Sequence, residues 1–422
     1  MQELRTRADG ADAALARGGG EGGIPLPRIA APSGGSGPSP ASGGVGAGGV
    51  PAEVETLAVA GRWDEAHGAA AAAGDGGAAA AAVAGRHAER LVGAGDVLGA
   101  ARTLAKHAPA GAFSGRTGLS LTPLAVQVLL AALATPEAIA QLGAPNGGVG
   151  GSGEAARELA RAMDRDPAAH DAVAALGHRP PGVSRPLRLA DLAEAAHWTY
   201  VAEACANAEP RVAGAAGVAL LRVAARSGAA PADKALALAG RAWRTAADQE
   251  AGAGSGDDAR STAFVLLNTL LDIHDAVEAR ASTSTNASDP AVETADFEGT
   301  DLLTEAGGRL LLPPRGQRLY LEGESAEAER EWVLEASVAG GAAGSGGLPT
   351  RPCRRCGVHG FVGSLACASC GHTEQACRVT GFPLDDRVIC PTGCEASRDA
   401  WNRWTGRFGA CPSCDAPAKP QF

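Results

Sequence analysis

Apolar residues recur along the middle of the chain at the spacing of one helix face. Leu189, Leu192, Ala193, Ala196 and Tyr200 make one such set, and Phe264, Leu267, Leu271 and Val277 make another. The pattern predicts helices over Leu189 to Cys205, Pro210 to Ser227, Pro231 to Ala247 and Ser261 to Ala281. Upstream it predicts a shorter helix around Leu124 to Leu133 and another over Glu154 to Met163. Gly-rich breaks fall at 108–124 and 143–153, Pro136 suits a helix start, and Pro180, Pro181 and Pro186 interrupt the chain before the longest run of helices. No β-branched alternation precedes residue 300, so the body reads as all-α.

From Pro51 the helices read as pairs. Gly61, Trp63 and Ala66 repeat as Gly95, Val97 and Ala100, in the form G-x-apolar-x-x-A and 34 residues apart. That is the tetratricopeptide period, and its physics fits: glycine ends one helix, the large residue packs into the pair and the small alanine permits a close crossing. Two copies are few, and two unrelated helix starts in Ala-rich sequence are the alternative. Residues 51–281 are therefore expected to form a tetratricopeptide-like α-solenoid, in which each pair buries its apolar face against its neighbours. Residues 18–50 are mostly Gly, Pro, Ser and Ala with almost no large apolar side chain, so 1–50 are expected to be disordered apart from one or two helical turns within 1–17. Residues 282–347 read as a polar, acidic linker that Phe297 anchors, with one acidic helix over 324–337 carrying Trp332, Val333 and Leu334 and a Gly-rich spacer after it.

Composition narrows the function. The chain has 422 residues and a formal net charge of −10, with three lysines (Lys106, Lys234 and Lys419) beside many arginines. An acidic chain offers no phosphate-tracking face, and two tyrosines and seven phenylalanines make a poor base-stacking platform, so no nucleic-acid partner is expected. The longest apolar run, Leu124 to Ala134, is too short to span a bilayer, and no signal segment opens the sequence. A cytoplasmic, reducing location follows as the expectation. His170, His178, His197 and His274 show no catalytic pairing. Asp272 and Asp275 beside His274 read as a solvated face, and no nucleotide-binding, hydrolase or metalloprotease motif is present. No enzyme activity is expected.

Nine of the ten cysteines lie between 353 and 414. Cys353 and Cys356 form a C-x-x-C knuckle followed by glycine, and ten residues later Cys367 and Cys370 form a second. Such a knuckle places two thiolates on one ion at about 2.3 Å, and the glycine permits the positive φ that turns backbone N–H groups toward sulfur. Cys390 with Cys394 and Cys411 with Cys414 offer a looser second set, because the first of these pairs is C-x-x-x-C; Cys377 is left between the sets. In a reduced compartment such spacing points to metal rather than to disulfides. A zinc-binding module over 348–422 is expected, holding one or two Zn2+ on Cys353, Cys356, Cys367, Cys370, Cys390, Cys394, Cys411 and Cys414. Its few large apolar residues, Phe361, Phe382, Trp401 and Trp404, need a metal staple to fold. Cys205 reads as a small buried hydrophobe.

Several ordered blocks carry a resemblance. They are 263–278 (AFVLLNTLLDIHDAVE), 296–301 (DFEGTD), 327–334 (EAEREWVL), 377–384 (CRVTGFPL) and 399–402 (DAWN), preceded by 231–235 (PADKA). Together they are similar to the C-terminal end of the intraflagellar transport protein 172 family, the largest peripheral subunits of the IFT-B complex, over roughly residues 190–414. The resemblance implies two N-terminal β-propellers, a long tetratricopeptide-like array and a small cysteine-bearing module. This chain carries only the end of the array and the module, and a truncated gene model accounts for the missing propellers more simply than a short paralogue does.

What the resemblance implies is a structural subunit of the cilium or flagellum and its basal body, scaffolding contacts with other IFT-B subunits and ciliary cargo. The alternative is a ubiquitin-ligase module of RING or U-box type. In that case the four cysteine pairs would be cross-braced, first with third and second with fourth; a self-contained ribbon would join first with second.

Overall fold

The computed structural model describes residues 50–75, 77–135, 151–180, 183–250, 257–282, 294–296, 309–311, 324–340 and 348–422. The expected disorder at the N-terminus, the helix start at Pro136 and the anchor at Phe297 lie outside the described residues. The chain is mainly helical. Its N-terminal helices are α1 (Ala52–Val59), α2 (Trp63–Ala72), α3 (Ala78–Gly93), α4 (Val97–His107), α5 (Thr122–Ala134), α6 (Ser152–Asp164) and the short α7 (Ala169–Ala175). The longer α8 (Leu189–Cys205), α9 (Pro210–Ser227), α10 (Ala232–Glu250) and α11 (Asp257–Ser282) follow. Two of these, α8 and α9, keep the bounds that the apolar spacing predicts.

Each helix packs mainly on the next in one serial path: α1, α2, α3, α4, α6, α8, α9, α10 and α11, with α5 and α7 set beside it. Both copies of the repeated motif take one local form. Gly61 and Gly95 have φ of 74° and 84°, the helix begins two residues later, and Ala66 and Ala100 are fully buried. Glycine ends the preceding helix because a left-handed residue costs it no Cβ clash. In the second copy the Asp96 side chain accepts from the Gly99 N–H at 2.7 Å and caps α4. Proline at the first position of α9 supplies a φ suited to a helix start, and Gly228 at φ 63° ends that helix. Small residues then set how closely α9 and α10 cross: a Cβ on Gly217 would stand 2.7 Å from the Ala239 backbone.

One cation ties the array together at a deeper level. Lys234 on α10 is wholly buried. Its ammonium donates to the carbonyl oxygens of Leu133 (2.9 Å) and Thr135 (3.1 Å) and to the Ser152 hydroxyl (3.1 Å), with Glu203 at 3.9 Å. It therefore closes the open C-terminus of α5, where carbonyls lack helical partners, and joins it to the start of α6.

Beyond the array, β1 (Thr294–Asp296) pairs antiparallel with β2 (Arg309–Leu311) inside the stretch that reads as linker. The acidic helix α12 (Glu324–Gly340) packs on α11 and runs three residues further than predicted. Its Glu329 is held by Arg241 (2.9 Å) and Arg244 (2.8 Å) of α10, and Trp332 and Val333 are buried while Leu334 faces solvent. The cysteine-rich segment contains two more antiparallel pairs, β3 (Thr350–Pro352) with β4 (His359–Phe361) and β5 (Arg387–Ile389) with β6 (Glu395–Ser397), and then α13 (Arg398–Phe408).

A Gly-rich spacer suggests two separate cores, yet the buried cluster is continuous. Phe361, Cys377, Val379, Trp401 and Trp404 belong to the same cluster as Trp198, Ala219 and Leu220 of the array. His197 Nε2 donates to the Arg378 carbonyl at 2.9 Å, Arg222 reaches the carbonyls of Gly363 and Gly381, and Tyr200 meets Trp404 edge-on at 5.9 Å. The array thus supplies apolar surface that a segment of this size cannot supply for itself.

Candidate metal centres

Four tight turns in the cysteine-rich segment repeat one hydrogen-bond scheme. In each, a cysteine carbonyl accepts from the N–H four residues on: Cys353 from Gly357, Cys367 from Gly371, Cys377 from Gly381 and Cys411 from Asp415, at 2.8 to 3.0 Å. Each cysteine N–H also donates to the carbonyl five residues on, at Val358, His372, Phe382 and Ala416. The residue closing each turn is left-handed, with φ of 72°, 66°, 70° and 56° in chain order.

Three of the turns are C-x-x-C knuckles. The turn at Cys377 has Thr380 where the second cysteine would stand. The Cys377 sulfur is fully buried and accepts from the N–H groups of Val379 (3.4 Å) and Ser397 (3.3 Å). It belongs to neither thiol cluster. The C-x-x-T-G pattern was present in the sequence, and only its likeness to the other knuckles could have identified it.

The remaining cysteines form two clusters. Cys353, Cys356, Cys367 and Cys370 have sulfurs within 4.8 Å of one another, and so do Cys390, Cys394, Cys411 and Cys414. Sulfurs stand 3.8 Å apart between Cys353 and Cys370, 3.6 Å between Cys356 and Cys367, and 3.9 Å between Cys390 and Cys414. Metal–sulfur bonds of about 2.3 Å at tetrahedral angles require sulfurs roughly 3.8 Å apart. A disulfide requires about 2.05 Å, and all ten cysteines are free thiols. The donor sets therefore fit a tetrahedral soft cation. The first pair joins the second and the third joins the fourth, so the cross-braced alternative is not the arrangement found.

The turns also prepare the thiols for metal. Backbone N–H groups at Cys356 and Arg355 hold the Cys353 thiol below its ordinary value, and those at Cys370 and Ser369 bring Cys367 down to about 6. In the second cluster burial opposes ionisation of Cys390, but the Thr392 hydroxyl and the Cys394 and Thr392 N–H groups outweigh it and bring the thiol to about 6. Burial raises Cys411 in the same cluster. The first cluster thus has two thiols that ionise more readily than usual and the second has one, and a bound cation would stabilise the rest as thiolates. Thr392 Oγ1 lies 2.8 Å from Cys414 Sγ and 3.0 Å from Cys390 Sγ, so its one proton is shared between sulfurs of the two pairs.

The other expected residues fall as follows. Cys205 is buried, and burial pushes its thiol up to about 12, as for an inert core residue. His274, Asp275 and Glu278 come together on α11, but Arg330 of α12 donates to Asp275 at 2.6 Å and neutralises that group. Three histidines that the sequence reading passed over, His67, His87 and His107, meet between α2, α3 and α4. Among the described residues no helix is long and apolar enough to cross a membrane.

Fold and site together define a class: a serial helical array closed by a cysteine-rich segment with two tetrathiol clusters. No protein-family profile matches the chain. The chain is 32% identical over 197 residues, 46% of its length, to intraflagellar transport protein 172 of Chlamydomonas reinhardtii. It carries a partial region similar to the C-terminal part of that protein, as the ordered sequence blocks indicate. The match spans 10% of that relative's length.

Proposed function

We propose that this chain is a non-enzymatic structural piece of an intraflagellar transport assembly. Its helical array (51–281) is a tetratricopeptide-like scaffold for other IFT-B subunits and ciliary cargo, and its terminal module (348–422) is held together by two zinc ions. The observation that carries the reading is the 197-residue likeness to intraflagellar transport protein 172. The serial packing of the helices supports it, since stacked helix pairs present long surfaces to partners. The sulfur spacing near 3.8 Å supports zinc in both clusters. Bound zinc would act as a folding staple, with Cys353, Cys356, Cys367 and Cys370 on one ion and Cys390, Cys394, Cys411 and Cys414 on the other.

Metal analysis of the full chain purified under reducing conditions should give two zinc ions per chain; none would overturn the metal reading. Tagged chain expressed in a ciliated cell should concentrate in cilia and at basal bodies and co-purify with IFT-B subunits. Uniform cytosolic distribution without those subunits would overturn the transport reading. An autoubiquitination assay with a panel of conjugating enzymes should stay silent, and chain-dependent ubiquitin transfer would replace this reading with the ligase one.

A further inference from the structure

Of the four turns, the one at Cys411 breaks the pattern at its last position. Gly357, Gly371 and Gly381 take the left-handed residue in the others, while here Asp415 holds φ 56°. Left-handed backbone is costly for a residue with a Cβ, and Asp tolerates it better than most. The Asp415 carboxylate meets two guanidiniums of α6: Arg157 at 3.1 Å, and Arg161. The same two arginines donate to the carbonyls inside the knuckle, Arg157 to Pro412 at 2.7 Å and Arg161 to Ser413.

Arg157 is fixed in place. Its side chain is 10% exposed and its guanidinium lies 3.6 Å over the Tyr200 ring. Two cations therefore converge on a loop whose own side chains supply one carboxylate, with Glu154 and Glu158 of α6 as the other acidic groups facing Arg157. Four thiolates around a divalent ion carry a net charge of −2, which would add to the carboxylate charge that the two arginines face on the module side. Wrapping that ion also fixes the Pro412 and Ser413 carbonyls where the arginines need them. The first cluster meets the array outside its knuckles: Arg222 donates to the Gly363 carbonyl between them, while Arg351 and Arg354 pair with Glu374 of the module.

We propose that the second thiolate site is a metal-dependent latch, with Arg157 and Arg161 as its positioning residues. Metal in that site holds the module on α6 through its own knuckle, whereas metal in the first site staples knuckles that α6 does not grip. The latch rests on the reading that both clusters hold zinc.

The experiment uses the full zinc-loaded chain, with a chromophoric chelator to measure zinc affinity and hydrogen exchange to follow docking. Arg157→Met with Arg161→Met should weaken one of the two zinc ions about 10-fold or more and leave the other unchanged, the usual effect of removing outer-shell partners. Cys414→Ser should speed exchange at 157–161 and 197–200, beneath the second cluster, while Cys356→Ser should speed exchange within 350–375 and around Arg222, which holds Gly363, but not at 157–161. Asp415→Gly relieves the backbone and keeps every ligand, so it should still bind two zinc ions yet speed exchange at 157–161 and 197–200. Equal exchange patterns in Cys414→Ser and Cys356→Ser, or unchanged zinc affinity in the double arginine variant, would overturn the latch alone. A wild-type chain without zinc would overturn the metal reading beneath it.

Discussion

Gly381 lies so close to Ala219 that a Cβ built on it would stand 2.3 Å from the alanine methyl. The turn that has Thr380 in place of a second cysteine is thus the one pressed into the array, with its carbonyls held by His197 and Arg222. A turn that lacks the second thiol is free to bury its face: Val379 is fully buried, while a Cβ on Gly357 or Gly371 of the first cluster would meet open space.

This contact gives a matched pair of substitutions. Gly357 and Gly381 have nearly the same φ, 72° and 70°. Gly357→Ala should cost only the left-handed penalty, about 1 kcal/mol. Gly381→Ala adds a methyl where no room exists and should cost a further 1–3 kcal/mol or so. Thermal melts of the two full-length variants check this, and equal shifts would mean that the Gly381 face is not docked in solution.

Much of the fold was legible because α9 carries an amphipathic period bounded by Pro210 and Gly228 and α8 carries apolar residues at helical spacing, signals that act locally. The two thiol sets were legible for the same reason: Cys353 and Cys356 sit three residues apart whatever surrounds them. What joins the parts was not legible. Lys234 reads as one lysine among few, and its partners at Leu133 and Ser152 are backbone and hydroxyl groups of other helices. The contact of Arg157 with Pro412 spans most of the array and leaves no periodic trace. His67, His87 and His107 were passed over because each alone is unremarkable, and only the packing of three helices brings their rings together.

Lys234 donates to three acceptors from the buried interior of the array. Burial lowers its proton affinity, opposed by Glu203, and the three acceptors around its ammonium have no solvent to turn to. Lys234→Met relieves the desolvation of one cation but strands two carbonyls, each costing about 1–3 kcal/mol when unsatisfied, and takes the cation away from Glu203, which keeps Ser152 as a donor. The stranded acceptors outnumber the relieved charge, so a net loss of about 3 kcal/mol is expected. Urea unfolding followed by far-UV circular dichroism measures it; a variant as stable as the parent would show that the buried cation is dispensable.

Removal of metal should separate tertiary from secondary structure. Trp401 and Trp404 donate to the Lys419 and Ala410 carbonyls, at 3.1 Å and 2.8 Å, so their environment depends on loops next to the second thiol cluster. The helices of the array are packed on one another and contain none of those ligands. Chelation under reducing conditions should therefore erase much of the near-UV signal, keep most of the helical far-UV signal, and lower the melting midpoint as the α8–α9 face loses its cover. Collapse of the far-UV signal at the same chelator concentration would show that the array cannot stand without the module.

The histidine cluster predicts loss of stability toward acid at the N-terminal end. His67 Nε2 lies 3.0 Å from His87 Nδ1, the His67 ring stacks on His107 at 3.8 Å, and Trp63 stacks on His87 at 4.4 Å. Burial lowers all three, and for His67 the neighbouring His107 and His87 and Lys106 add to it, while Asp64 opposes; His67 falls to about 4. Arg90 of α3 also disfavours charge on His87. In the unfolded chain these rings titrate near 6.5. Above that pH both states are neutral and the cluster contributes its packing in full. As pH falls from about 6.5 toward 4 the unfolded chain binds protons that the folded cluster rejects, so stability declines across that window. Hydrogen exchange over residues 63–107, corrected for intrinsic rates, should rise progressively there, and His67→Leu should flatten the dependence. A pH-independent response in the parent chain would mean that the three rings are not packed together in solution.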